Sequence, residues 1–152
     1  MPAVRTPARR AGVVSLLAAV ALTLVPLAAE PATAARAPED QMRHLINGER
    51  IERGKRPLVM RDRLVWLARE HSRKMANKGT IWHSRNMPED LPWKNVYWGE
   101  NVGMGNSVQS LHNLFMQSDG HRWNILRGVY DRIGVGVVYR DGRTYVTVLF
   151  VG

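Results

Sequence analysis

Glu100 is the single carboxylate in the stretch VYWGENVGMG, residues 96–105, where it is wedged between Gly99 and Asn101. An acid in an apolar, glycine-rich setting is costly to bury unless a cation, a metal or several hydrogen-bond donors meet it. The chain offers five histidines as partners: His44, His71, His83, His112 and His121. His71 falls on the apolar face of a helical pattern, where a hydrogen-bonded core role is expected. His44 and His112 fall on helical faces with no acid at ligand spacing and read as surface or packing residues. His83 and His121 differ, because each lies outside a long helix, beside a hydroxyl or an acid (Ser84; Ser118 and Asp119), in segments that flank Glu100.

Two imidazoles and one carboxylate form a coherent chemical set. With zinc they would leave a fourth position open for water, as in a hydrolytic site. Without metal, Glu100 would orient and partly charge one or both rings. A third possibility is that the three are unrelated and satisfied locally. There is no H-E-x-x-H, so residues 83, 100 and 121 converge only if the fold brings them together. Other chemistries are excluded more simply. GENVGMG fits neither G-x-G-x-x-G nor a phosphate loop with its lysine and hydroxyl, and no G-x-S-x-G is present. The absence of cysteine rules out thiol catalysis. A serine nucleophile would have to be Ser84, Ser107 or Ser118; Ser118 is the best placed of these, three residues before His121, against a plainer capping or turn role.

The elements that must position these residues follow from hydrophobic spacing. Met42, Leu45, Ile46 and Glu49 recur at helical intervals up to Gly54, and Leu64, Leu67, Ala68, His71 and Met75 keep one face of a second helix. Asp62 is expected to cap that second helix, and Gly79 follows its end. Residues 80–92 read as an ordered loop holding His83, and KNVYWGENVG as a short strand before the glycines. Ser107 is a candidate N-cap for a third helix through Val108, Leu111 and Phe115. SDGHRWNIL then gives a turn and short helix, with His121 at its start. Asp141-Gly142 joins two β-branched runs into a hairpin that sets Arg140 opposite Arg143. Neither hairpin face is polar, so both need covering by helices. The fold class expected is α+β, a three-layer α-β-α sandwich with a C-terminal β-hairpin. Gly134 and Gly136 would let a helix or loop approach the sheet closely.

The 152-residue chain opens on a basic segment, then nineteen uncharged residues, 11–29, and the small residues Ala32 and Ala34. This is the pattern of a secretory signal peptide, residues 1–34, with cleavage near Ala34-Ala35 and a short leader over residues 35–40. Arg9-Arg10 leaves both general and twin-arginine export open. Residues 41–152 then form one domain, since what remains is too short for two. The formal charge is +9, and removal of the signal segment takes three arginines and one glutamate to leave +7. For an exported protein, anionic wall polymer or lipid head groups are the expected counter-ions rather than nucleic acid, and solubility alone is the plainest account of the charge. Without disulfides, stability rests on the hydrophobic core.

In order, LINGERIERGKRPL, LAREHSRKMANKG, WHS, GENVGMG, FMQSDGHRWNIL, RIGVGVV and YVTVLF closely resemble bacterial members of the CAP superfamily. This SCP or PR-1-like family includes the cysteine-rich secretory proteins, insect venom antigen 5 and plant pathogenesis-related proteins. The resemblance runs from about Gln41 to Val151. It implies an α-β-α sandwich with a cavity, and a cleft built from two histidines and two acids that holds zinc or another divalent metal in some relatives. Matched residue by residue, the histidines fall on His83 and His121 and the Gly-Glu-Asn acid on Glu100, beside Asn101. The second acid does not transfer: Ser118 stands at or near its place, with Asp119 beside it. The implied metal set is therefore His83, His121 and Glu100.

The expectation is an exported CAP domain, a monomer, touching membrane only through its signal segment. Its cleft around His83, Glu100, His121, Ser118 and Asn101 would bind a small or lipid-like ligand, with no cofactor required and a divalent cation such as zinc allowed. Trp82, Trp93, Tyr97, Trp98 and Trp123 would line that cleft or pack in the core. The alternatives are a zinc-assisted peptidase or esterase, and a basic module that adheres to anionic cell-wall polymer through Arg43, Arg50, Arg53, Lys55, Arg56, Arg61 and Arg63.

Overall fold

The computed structural model describes residues 37–85 and 87–152. The expected signal peptide, with its cleavage site and any membrane contact it makes, lies outside them. Helix α1 spans Pro38–Glu52, with Pro38 in its first turn beside Glu39 and Asp40. Pro38, Glu39 and Asp40, expected in a leader, therefore start the helix, because proline's fixed φ suits the first turn and acids there complement the helix dipole. Strand β1, Val59–Met60, follows, then α2, Asp62–Lys78, which ends on Gly79 in the left-handed conformation. Asp62 does not cap α2: Arg61 holds the cap position without a side-chain bond, and Asp62 is a first-turn acid.

A short helix α3, Met87–Asp90, interrupts the stretch expected as loop. Strand β2 is Trp98–Gly105 and so runs through the glycines rather than ending before them. Helix α4, Val108–Gln117, is capped by Ser107, whose hydroxyl accepts from the Ser110 N–H at 3.1 Å. Helix α5 is Asp119–Leu126, and the chain closes with β3, Arg132–Arg140, and β4, Arg143–Val151.

The four strands form one mixed sheet in the order β1-β3-β4-β2. Arg140 pairs with Arg143 across the Asp141-Gly142 turn, and both turn residues have positive φ, as the hairpin signal requires. Ile133, Val135, Val137, Val146, Val148 and Phe150 form one face, covered by Met42 and Ile46 of α1, Val108, Leu111 and Phe115 of α4 and Ile125 of α5. Leu149 and Val151 on the opposite face meet Leu64, Leu67 and Ala68 of α2. This is the expected helix–sheet–helix sandwich. The seam under α2 depends on Gly134 and Gly136: a Cβ on either would lie 2.3 Å from the Leu64 backbone or 2.2 Å from that of Ala68.

Candidate functional site

Glu100 belongs to β2, an outer strand of the sheet, opposite Leu149 of β4. Successive strand side chains point to opposite faces, so Glu100 faces the α2 side with Leu149, and Asn101 faces the α4–α5 side. Gly99, just before, has no side chain where Tyr130 and Asn124 crowd the strand; a Cβ there would lie 2.6 Å from the tyrosine oxygen.

On the α2 side, the Glu100 carboxylate is buried and His83 is exposed, with side-chain exposures of 2% and 63%. His83 Nδ1 lies 2.8 Å from Glu100 Oε2, which also accepts from the Ser84 N–H at 2.9 Å. For an ionised carboxylate, which only accepts, the Nδ1 proton is on His83 and the outer nitrogen, Nε2, remains available to a ligand. The other oxygen, Oε1, is buried without a hydrogen-bond partner, and His71 Nε2 approaches it at 3.9 Å. That nitrogen donates to the Trp82 carbonyl at 2.7 Å, which fulfils the hydrogen-bonded core role expected of His71. The partner sought for Glu100 is thus His83, with one backbone N–H, and His71 close behind.

On the other side, Asn101 donates to the His121 carbonyl at 3.0 Å, and Asn124 donates to Asn101 Oδ1 at 2.9 Å and to the Glu100 carbonyl at 3.2 Å. The His121 ring packs against Phe115 with centroids 5.0 Å apart. Burial pushes its pKa down, and the charge of His83 pushes it further the same way. The two histidines therefore feel each other, but among the described residues no hydrogen bond or ion pair joins His121 to Glu100. Ser118 is the junction between α4 and α5, where its N–H bonds Leu114 and its carbonyl accepts from Arg122. That is the plainer turn role weighed for it, and Asp119 beside it pairs with Arg122 in solvent.

Among the described residues, no three His, Asp or Glu side chains gather closely enough to hold one metal ion. Glu100 commits one oxygen to His83 and Ser84 and keeps the other sealed from solvent. The donors as they stand do not fit a three-ligand zinc.

His71 and Asn124 are the site neighbours that spacing did not single out, and Ser84, named for its hydroxyl, enters through its backbone N–H instead. His71 carried a signal, since its helical face had to meet the sheet; Asn124 carried none before β2 was placed. Of the aromatic residues, Trp82, Trp93 and Trp98 pack against the core, whereas Tyr97 and Trp123 are exposed. The basic face expected on α1 is not a free one. Arg50 is fully buried, Arg43 pairs with Asp40 and Arg53 with Glu49.

Comparison with known proteins gives the same architecture a lineage. Residues 43–151 match the cysteine-rich secretory protein family, CAP. An uncharacterized protein of Bacillus subtilis is 31% identical over 124 residues, covering 75% of this chain and 47% of its own length. The chain thus spans about half of that relative. An outer surface protein of Borrelia burgdorferi superposes with a TM-score of 0.67 at 19% identity, over 74% of this chain and 90% of that one. A Bacillus anthracis extracellular protein containing an SCP domain gives 0.64 at 23% identity, over 75% of this chain and 40% of that one. The family takes its name from cysteine, of which this chain has none. The family match over most of the chain and the fold it shares with these solved structures agree: the chain belongs to the CAP family as a bacterial member without disulfides.

Proposed function

We propose that this chain is an exported CAP domain whose cleft beside His83 and Glu100 binds a small or lipid-like ligand carrying an acidic group, and that binding rather than catalysis is its role. One observation carries the reading: a cleft of about 820 Å³ opens beside His83, and among the described residues lining it the cations Lys74, Lys78 and Arg85 outnumber the acid Asp90, with Glu70 in the adjoining recess beside Lys74. Glu100 fixes the His83 ring through Nδ1, and the Nε2 of this cleft-lining residue is left to a ligand. Trp82, with Lys78 5.2 Å above its ring, supplies an apolar wall for the rest of the ligand. Export is supported by residues 1–34 of the sequence and by structural neighbours that are themselves an outer surface protein and an extracellular protein.

The test uses the whole chain with a saturated fatty acid and, as its uncharged counterpart, the matching alcohol. The acid is expected to bind more tightly than the alcohol. Lys78→Gln and His83→Ala should each weaken the acid by about tenfold, a loss typical of a residue that anchors a ligand. Equal affinity for acid and alcohol, or binding unchanged in both variants, would overturn the reading. Zinc-dependent cleavage of a peptide or ester that Glu100→Gln abolishes would replace it with the hydrolase alternative.

A further inference from the structure

A second surface feature shares no lining residue with the His83 cleft. Tyr97 and Trp123 are 59% and 57% exposed, and the Arg127 guanidinium lies over both rings, 5.2 Å and 4.3 Å from their centres. Tyr130 backs the same group, with its ring centre at 5.4 Å and its hydroxyl accepting from Nη1 at 3.3 Å. The supporting backbone is pinned as well, because the Arg127 carbonyl accepts from buried Arg50 at 2.9 Å. Among the described residues no carboxylate pairs with Arg127, although Arg122 on the same wall is paired with Asp119. An arginine held in place on a ring stack, with most of its five donors uncommitted, loses little freedom when an anion arrives. Beside it runs an open trough of about 490 Å³, lined by Asp119, Arg122, Trp123, Leu126, Arg127 and Gly128.

We propose that Tyr97, Trp123 and Arg127 form a binding site for an acidic polysaccharide, in which a sugar ring stacks on an exposed aromatic face and its carboxylate pairs with Arg127. The size of the feature selects the partner. The six lining residues, Trp123 among them, together with Tyr97 are far fewer than the roughly 20–30 residues a side that a stable protein interface uses. An open trough does not enclose a free small molecule, which ordinary pockets bury over most of its surface. A polymer that passes along the trough needs neither condition, because repeated units add weak contacts. Charge agrees with an anionic partner, since the chain carries +9 overall and this cation lacks an acid of its own.

Calorimetry of the whole chain with polygalacturonate tests the site. Trp123→Ala and Arg127→Gln are each expected to weaken binding by about tenfold or more, the loss seen at an aromatic or arginine hot spot. Trp123→Phe should keep most of the affinity. Lys55→Gln removes the same charge from an exposed position elsewhere and should leave binding unchanged. His83→Ala should also leave it unchanged, which separates this site from the cleft. Neutral dextran is expected not to bind. The proposal fails if wild type does not bind polygalacturonate, if Trp123→Ala binds as wild type does, or if Lys55→Gln weakens binding as much as Arg127→Gln. It also fails if polyglutamate binds as tightly, since charge without a sugar would then suffice. Thermal unfolding of each variant shows that the fold persists; should Arg127→Gln unfold, Trp123→Ala and Arg127→Lys decide, the lysine lacking the planar two-pronged donor geometry.

Discussion

A buried carboxylate and a buried imidazole are handled in opposite ways in this molecule. Glu100 meets His83 and a backbone N–H, and the flanking positions of His83 outside a long helix made that partner legible before any fold was known. His112 is the reverse case. Its helical face left surface and packing roles both open, and the structure gives it the packing one: the residue is only 4% exposed, with neither ring nitrogen hydrogen-bonded. A helical wheel cannot tell which polar residue at the margin of an apolar stripe a neighbouring helix will cover. Burial pushes the His112 pKa down, against a smaller upward pull from Glu49. The folded ring thus resists a proton that the unfolded chain takes up near pH 6.5. Stability from this source is present above that pH and is lost as pH falls through the lower folded value; His121 contributes with the same sign. His112→Phe removes the unpaired nitrogens and one of the two titrations. It is expected to stabilise the fold by about 1 kcal/mol at neutral pH and more at pH 5, read from urea unfolding at both.

At the scale of elements, the hairpin was legible to the residue because a two-residue Asp-Gly turn fixes register, and register fixes every cross-strand pair. Strand β1 was not, because two residues carry no periodicity and Val59–Met60 is a strand only through its parallel pairing with β3. The full length of β2 was also hidden. Its glycines argue against a strand by propensity, but they are tolerated where Tyr130, Leu111 and Phe115 press on the backbone. The glycines under α2 allow a sharp comparison. In Gly134→Ala the new methyl meets the helix backbone at 2.3 Å, and helix and sheet must part to admit it. The expected cost is about 3 kcal/mol or more. Gly48→Ala, inside α1 and with nothing within 4 Å of the new atom, is expected to stabilise by about 0.5–1 kcal/mol. Equal effects of the two changes on the urea midpoint would mean that close approach is not what the sheet glycines supply.

Across the whole molecule, a domain with no disulfide must hold its irregular segments by other means, and Arg50 serves that purpose. The sequence placed it with the solvent-facing cations of α1, because an arginine on a helix is ordinarily a surface charge. Here its side chain is buried and reaches four carbonyls: Arg56 at 2.8 Å, Ile125 at 2.8 Å, Arg127 at 2.9 Å and Tyr130 at 3.1 Å. One side chain thereby ties the end of α1 to the approach to β1 and to the whole connection from α5 to β3, the segment that carries Arg127. No acid was needed to bury it, since carbonyl oxygens offer partial negative charge and satisfy the planar donor fork in several directions. Burial lowers the pKa of the group from its ordinary value, and these hydrogen bonds offset part of the cost of taking the charge out of water. Arg50→Met fills similar space but strands four acceptors, and the loss expected is about 3–5 kcal/mol, a large fraction of the stability of a domain this size. Arg50→Lys should recover only part of it, because three donors on one nitrogen cannot span carbonyls from Arg56 to Tyr130. Hydrogen exchange adds the local reading: the amides of residues 125–131 should lose protection in Arg50→Met before those of the β3–β4 hairpin. Uniform loss of protection across both would show that Arg50 stabilises the core as a whole rather than pinning that connection.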